Sequence, residues 1–208
     1  MLKFYYSKGS SALAAHILLE EVRANYQAVE ISISDGEHLS EPFLKLNQKG
    51  RLPVLETSKG IVTENPAILE YIAAIHRDFG FLPDGAFVQA QARSLCAYLC
   101  STVHVAFAHH KRGKRWADQQ SSIRDMKDKA PQNLRECAEF LEATLPLSPW
   151  ALGSRYSFCD PYLFLLQGWL RGVHESSVGL RRLQAHAKEM CARSATQKVL
   201  AEHEIEGF

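Results

Sequence analysis

Every strand-like segment of this 208-residue chain falls before residue 64, and beyond residue 85 the pattern is helical only. Strands confined to the first third must form one small sheet, whose apolar faces need nearby helices as covers. Lys3 to Ser7 is a short aromatic run, strand-like in type. Ser10 and Ser11 then offer hydroxyls ahead of the apolar helical stretch Leu13 to Val22, as helix starts favour. Ala28 to Ile33 alternates and is rich in β-branched residues, a second strand. Gly50-Arg51-Leu52-Pro53-Val54-Leu55 leads into a third. Ser58-Lys59-Gly60 turns tightly into Ile61-Val62-Thr63, which makes an antiparallel hairpin. Asn65 suits an N-cap and Pro66 the first helical position. Ile68, Leu69, Ile72, Ile75 and His76 then share one helix face.

The order β-α-β, a loop segment, then β-β-α is the thioredoxin-like arrangement, and it predicts an α/β domain over residues 1–79. Gly80-Phe81-Leu82-Pro83-Asp84-Gly85 marks a linker, placed at 80–87, and 88–208 reads as an all-α bundle. Gln89 to about Arg112 is helical. Between Ile123 and Leu145 apolar residues recur at three and four, with Pro131 expected to kink or divide the run. Phe158 to Leu170 is apolar on nearly every side, which suits a buried central helix. Val178 to Cys191 and Ser194 to His203 close the chain, with Ser194 and Gln197 fitting a capping box.

Bulk properties exclude several classes. An apolar fraction of 46% argues for a folded chain, and a net charge of +1 lacks the basic excess of a nucleic-acid binder. No stretch approaches a membrane span. The strand-like start lacks the apolar core of a secretory signal, so a cytoplasmic location is expected. Five unclustered cysteines read as small buried hydrophobes, and with nine scattered histidines they suggest no metal site.

Three segments carry candidate chemistry. Leu52-Pro53 enters a strand, where a cis bond would leave the Leu52 backbone free to pair with an extended peptide; an ordinary trans edge proline is the alternative. Thr63-Glu64-Asn65 opens a helix, where a carboxylate and free amides could hold an α-amino and an α-carboxylate group; simple capping is the alternative. Tyr6 to Ser11 brings hydroxyls to a helix N-terminus, a place that stabilises anions, or else merely caps it.

Together these segments resemble the cytosolic glutathione S-transferases, with bacterial beta-class members as the nearest type. The resemblance rests on Phe4-Tyr5-Tyr6, Gly9, Leu13-Ala14, His16, Asn47-x-x-Gly50-x-x-Pro53-x-Leu55, Thr63-Glu64 and Ala67-Ile68-x-x-Tyr71-Ile72. Farther on, Tyr156 to Phe164 is similar to the family's capping-box and staple motif, with Ser157 as N-cap and Asp160 as the returning carboxylate. The resemblance implies the glutathione S-transferase fold and glutathione as co-substrate, with no metal. It implies that Leu52, before Pro53, pairs with the cysteinyl backbone, that Glu64 and Asn65 hold the γ-glutamyl end, and that the thiol lies by Ser10, Ser11 and Tyr6. Electrophiles would sit near Val103, His104, Phe107 and His110, with Trp116 and Trp169 as further candidates. A homodimer is implied, with Ala90 to Ser101 contributing.

Departures from the pattern matter as much. Ser11 stands where the beta-class type has a cysteine, which turns the expectation from thiol–disulfide chemistry to conjugation, with a hydroxyl as thiolate donor. Ser11, Tyr6 and Ser10 all remain candidates for that donor. Val105 replaces a lysine expected after His104. The loop Ser34 to Glu41 has no Lys or Arg to meet a glycyl carboxylate, leaving Lys49, Arg51 or His38 as substitutes. Asn65 stands where a smaller residue is more usual. The basic run His109 to Arg115 reads as a solvated helix end, with acidic substrates or nucleic acid as alternatives. The leading function is conjugation of glutathione to small apolar electrophiles; the alternative is a non-catalytic interaction or stress-regulatory protein on the same fold.

Overall fold

The computed structural model describes residues 1–173 and 179–207. It divides into two compact units: 1–84 with 190–208, and 85–189.

The first unit is built on a four-stranded sheet in the order β2-β1-β3-β4. β1 (Leu2–Tyr6) runs parallel to β2 (Tyr26–Glu30) and antiparallel to β3 (Val54–Thr57), which pairs antiparallel with β4 (Gly60–Thr63). Helices α1 (Ala12–Glu21) and α3 (Asn65–Ile75) pack on each other beside it. Alternation in β1 sends Phe4 and Tyr6 inward, where Phe4 joins Leu13, Ile17, Leu55, Ile68 and Ile72 in the core. The expected loop between β2 and β3 contains a short helix, α2 (Glu41–Leu46). Only Phe43 of α2 is buried, so six residues leave too short a period to recognise.

The span 88–208 is not one body. Its last residues belong to the first unit, where α9 (Ser194–Glu202) packs along α1. The cause is legible in α1, whose residues Ala12 to Leu19 are all buried. A helix apolar on every side needs cover on every side, and α9 supplies Thr196 and Val199. Arg193 Nη2 donates to Glu21 at 2.7 Å and Lys198 Nζ to Glu20 at 2.8 Å, fixing the register of this docking. The Ser194–Gln197 box does not form: Arg193 is the N-cap residue, and the Gln197 amide donates instead to the Cys191 carbonyl at 3.0 Å.

The second unit holds α4 (Ala86–Tyr98), a five-residue π turn (Leu99–Val103) and α5 (His104–Arg112), followed by α6 (Gln120–Thr144) and α7 (Asp160–Arg171). Pro131 lies inside α6 without dividing it. Ala130, Leu134, Cys137, Ala138 and Leu141 bury one continuous face across it, and that packing offsets the lost hydrogen bond. α7 is buried from Asp160 through Gln167, as a central helix should be. Asp160 Oδ2 accepts the Ser157 N–H at 2.7 Å and its hydroxyl at 2.9 Å, while Oδ1 accepts the Ala151 N–H at 2.7 Å and faces His186 Nε2 at 3.0 Å. Ser157 thus meets its returning carboxylate, although Cys159 is the residue at the N-cap.

α8 (Arg181–Ala192) begins past residues 174–178, so the expected start at Val178 lies outside the described residues. A reciprocal clasp fixes this start. Glu142 accepts the Arg182 and Leu183 N–H groups, each at 2.9 Å. The Arg182 guanidinium in turn donates to the Glu142 and Leu145 carbonyls at 2.7 and 2.6 Å, where α6 ends. Among the described residues, no helix is long and apolar enough to cross a membrane, and no group of three or more potential ligands could hold a metal ion.

Candidate active site

The segment between β1 and α1 turns at Gly9, whose φ of 65° lies in the left-handed region. The turn places two hydroxyls at the start of α1, of which one meets a free amide. Ser10 Oγ accepts the Ala12 N–H at 3.2 Å. The Ser11 hydroxyl makes no cap bond and reaches the Leu52 carbonyl at 3.5 Å, at the outer limit of a hydrogen bond. It is therefore only loosely held and available to another acceptor.

Leu52-Pro53 is cis. Among the described residues, the Leu52 N–H has no hydrogen-bond partner. Asn47 organises the approach to this bond: its Nδ2 donates to the Arg51 carbonyl at 2.7 Å and its Oδ1 accepts the Lys49 N–H at 3.2 Å. Gly50 is fixed by crowding as well as by its φ of 58°, since a Cβ there would meet Leu39 Cδ2 at 2.8 Å.

The Asn65 N-cap expectation is corrected: Asn65 is the first helical residue and Glu64 precedes the helix. Asn65 is buried, and its Nδ2 crosses to the Ser11 carbonyl at 2.8 Å. Its Oδ1 is buried without a partner among the described residues. Glu64 has φ 73° and ψ 126°, a backbone conformation that costs a non-glycine residue of order 1–3 kcal/mol. Its exposed carboxylate pairs with Lys49, whose Nζ also donates to Thr63 Oγ1 at 2.8 Å. Ser11, Leu52, Asn65, Glu64 and Lys49 are thus linked through direct contacts in one unit, next to Pro53. Arg51 is exposed and contributes its carbonyl. His38 sits in the short turn Glu37–Leu39 with Nδ1 buried and unpartnered among the described residues.

Tyr6 lies in a different environment. Its ring packs at 5.0 Å from both His16 and His203, and parallel to Phe4 at 6.2 Å. Burial raises its hydroxyl pKa, and the Glu30 and Glu202 charges push the same way, so it stays protonated. His16 Nδ1 lies 3.0 Å from His203 Nε2 in the interior. Burial lowers His16 to about 4, with Lys198 acting in the same direction. Burial likewise lowers His203 to about 3, aided by His16 and Lys8. The sequence contains no local sign of His203, which reaches Tyr6 only because α9 docks on α1.

In the second unit, the π turn absorbs one extra residue just ahead of His104. His104 meets Trp169 edge-on at 4.8 Å, and Phe107 stacks on the same indole at 4.4 Å with 10° between planes. Val103 is buried at the end of the turn. His110 lies on the wall of a cavity at the end of α5. Trp116 packs edge-on against His109 at 4.6 Å.

The family model for the glutathione S-transferase N-terminal domain matches residues 2–74. A solved glutathione transferase homologue from Sulfitobacter, with bound glutathione, is 37% identical, with 97% of this chain and 98% of that one covered and a TM-score of 0.93. The chain belongs to the glutathione S-transferase family. A bacterial beta-class glutathione S-transferase from Sphingomonas chungbukensis is 28% identical over 97% of this chain and 98% of its own, with a TM-score of 0.82. Glutathione S-transferase GST-4.5 of Xanthomonas campestris is 27% identical, covering 96% of this chain and 97% of the relative. The match over 2–74 takes in the whole of β1 to β4, hence the segments that carry Ser11, Leu52 and Glu64 in this glutathione S-transferase fold.

Proposed function

We propose that this family member is a glutathione transferase that conjugates glutathione to small apolar electrophiles. The observation that carries the proposal is the convergence of Ser11, the cis Leu52-Pro53 bond and Asn65 at the start of α1. The unpaired Leu52 N–H is suited to a backbone carbonyl of the cysteinyl residue. Glu64 supplies a carboxylate for the γ-glutamyl ammonium. Lys49, held beside Glu64, is the cation available to a carboxylate of the tripeptide. Glutathione bound to the Sulfitobacter relative supports this choice of ligand.

A thiol of pKa about 8.5 is only roughly 3% ionised at pH 7. Lowering it by about two units gives roughly 75%, which requires about 2.7 kcal/mol of differential stabilisation. One charge-assisted hydrogen bond and a helix N-terminus together reach that size. Ser11, loosely bonded at the start of α1, is the donor we assign, with Ser10 and Tyr6 as competing donors. The thiolate then attacks the electrophilic carbon, a C–S bond forms, and the leaving group departs with its electron pair. Within the second unit, His104 and Phe107 pack on Trp169 and form an apolar aromatic surface of a kind suited to apolar electrophiles. A cytoplasmic homodimer is the expected assembly.

Isothermal titration with glutathione is the primary test. Binding at micromolar to millimolar ligand is expected. Its absence at millimolar concentration would overturn the transferase reading and leave the non-catalytic one.

A further inference from the structure

A cavity of about 640 Å³ opens at the end of α5, in the second unit. Of its nine lining residues, seven are Lys, Arg or His, and none is Asp or Glu. For a chain with net charge +1, this is a marked local excess. The negative end of the α5 dipole accounts for cations in its last turn, Lys111 and Arg112 among them. It does not account for Lys114, in the following short turn, or for Lys127, which comes from α6. Among the described residues, Lys111, Arg112, Lys114 and Lys127 have no carboxylate partner. Like charges gathered on one concave wall repel each other until an anion enters. The His110 Nδ1 is buried there without a partner among the described residues. Gly113 brings the helices together, since a Cβ there would meet Ile123 Cγ2 at 3.1 Å. Ile123 thereby forms an apolar patch of the wall.

The cavity adjoins the aromatic surface along α5. Lys111 Nζ stands 5.7 Å from the centroid of the Phe107 ring, whose stacking partner is Trp169. Aromatic surface and cationic wall therefore follow one another within about one helical turn.

We propose that this basic cavity is an anion subsite, selecting second substrates that carry a carboxylate or sulfonate on an aromatic body. The inference rests on the transferase reading for the word substrate, though not for the binding itself. The body lies against Phe107, and the anionic group reaches Arg112, Lys114 and Lys127.

The test uses two matched probes: a chlorodinitrobenzoate and the chlorodinitrobenzene that lacks its carboxylate. Binding is measured separately with the unreactive dinitrobenzoate and dinitrobenzene. The carboxylate should tighten binding by about tenfold at low salt, an advantage that added salt erodes. Arg112→Ala and Lys127→Glu should each raise KM for the benzoate by roughly three- to tenfold with kcat unchanged, leaving the neutral probe within about twofold. Equal affinity for charged and neutral probes, or variants that weaken both alike, would overturn the proposal. If neither probe is turned over but dinitrobenzoate is still preferred through Lys127, the transferase reading fails and the anion site stands. If both are turned over without preference, the reverse holds.

Discussion

Asn65 Nδ2 donates to the Ser11 carbonyl at 2.8 Å, tying the first turn of α3 to the first turn of α1. The bond spans 54 positions of sequence and is largely shielded from water, because Asn65 is only 5% exposed. It positions the Ser11 backbone from outside its own helix.

Asn65→Ala should therefore destabilise the protein by about 0.5–1.5 kcal/mol, the net worth of one buried hydrogen bond, since the Ser11 carbonyl keeps only its intrahelical partner. Glutathione affinity should fall in parallel. Urea unfolding and calorimetric binding measure the two effects. Unchanged values in both would show that the tie is inconsequential.

Ser11→Ala should raise the pKa of bound glutathione thiol by about one to two units, which is about 1.4–2.7 kcal/mol of lost thiolate stabilisation. Tyr6→Phe should move it little, because Tyr6 is engaged in the His16–His203 packing. Thiolate absorbance followed against pH in the three binary complexes separates these roles. A large shift in Tyr6→Phe alone would transfer the donor role to Tyr6.

The histidine pair gives the first unit an acid-sensitive point. The folded-state pKa values are about 4 for His16 and about 3 for His203, against an ordinary value of 6.5. Below pH 6.5 the unfolded chain binds protons that the folded chain refuses, so stability falls as pH falls. The slope is about 1.4 kcal/mol per pH unit for each histidine, from 6.5 down toward 4. Unfolding midpoints across that range should be flatter in His203→Leu than in the parent. Parallel slopes would show that the pair is not responsible.

Glu142 caps a helix other than its own. Glu142→Ala frees two amides at the start of α8 and should cost about 0.5–2 kcal/mol, seen as a fall of a few degrees in Tm. Glu142→Gln, which keeps an acceptor oxygen, should recover part of that loss. An Ala variant as stable as the parent would reduce the clasp to a surface contact.

The turns and helix starts around Ser11, Leu52 and Glu64 were legible because they are local. Gly9, the paired serines, Leu52-Pro53 and the hairpin each announce a turn or helix start through their own backbone preferences. The role of Asn65 was not, since a good N-cap residue and a residue reaching across to another helix look alike in sequence. The docking of α9 was hidden for the same reason. The uniform burial of α1 signals that a cover is needed, while nothing in the sequence of α1 says which distant segment supplies it. The α6 helix shows the converse limit: a local rule disfavours Pro131, and a packed face running past it prevails.

Packing α9 on α1 also orders events during synthesis. The sheet and its first three helices leave the ribosome early, yet the buried face of α1 stays wet until residues 194–203 follow more than a hundred positions later. The nascent first unit therefore waits with an apolar surface uncovered, and a chain stopped short of His203 would lack the ring that packs against Tyr6.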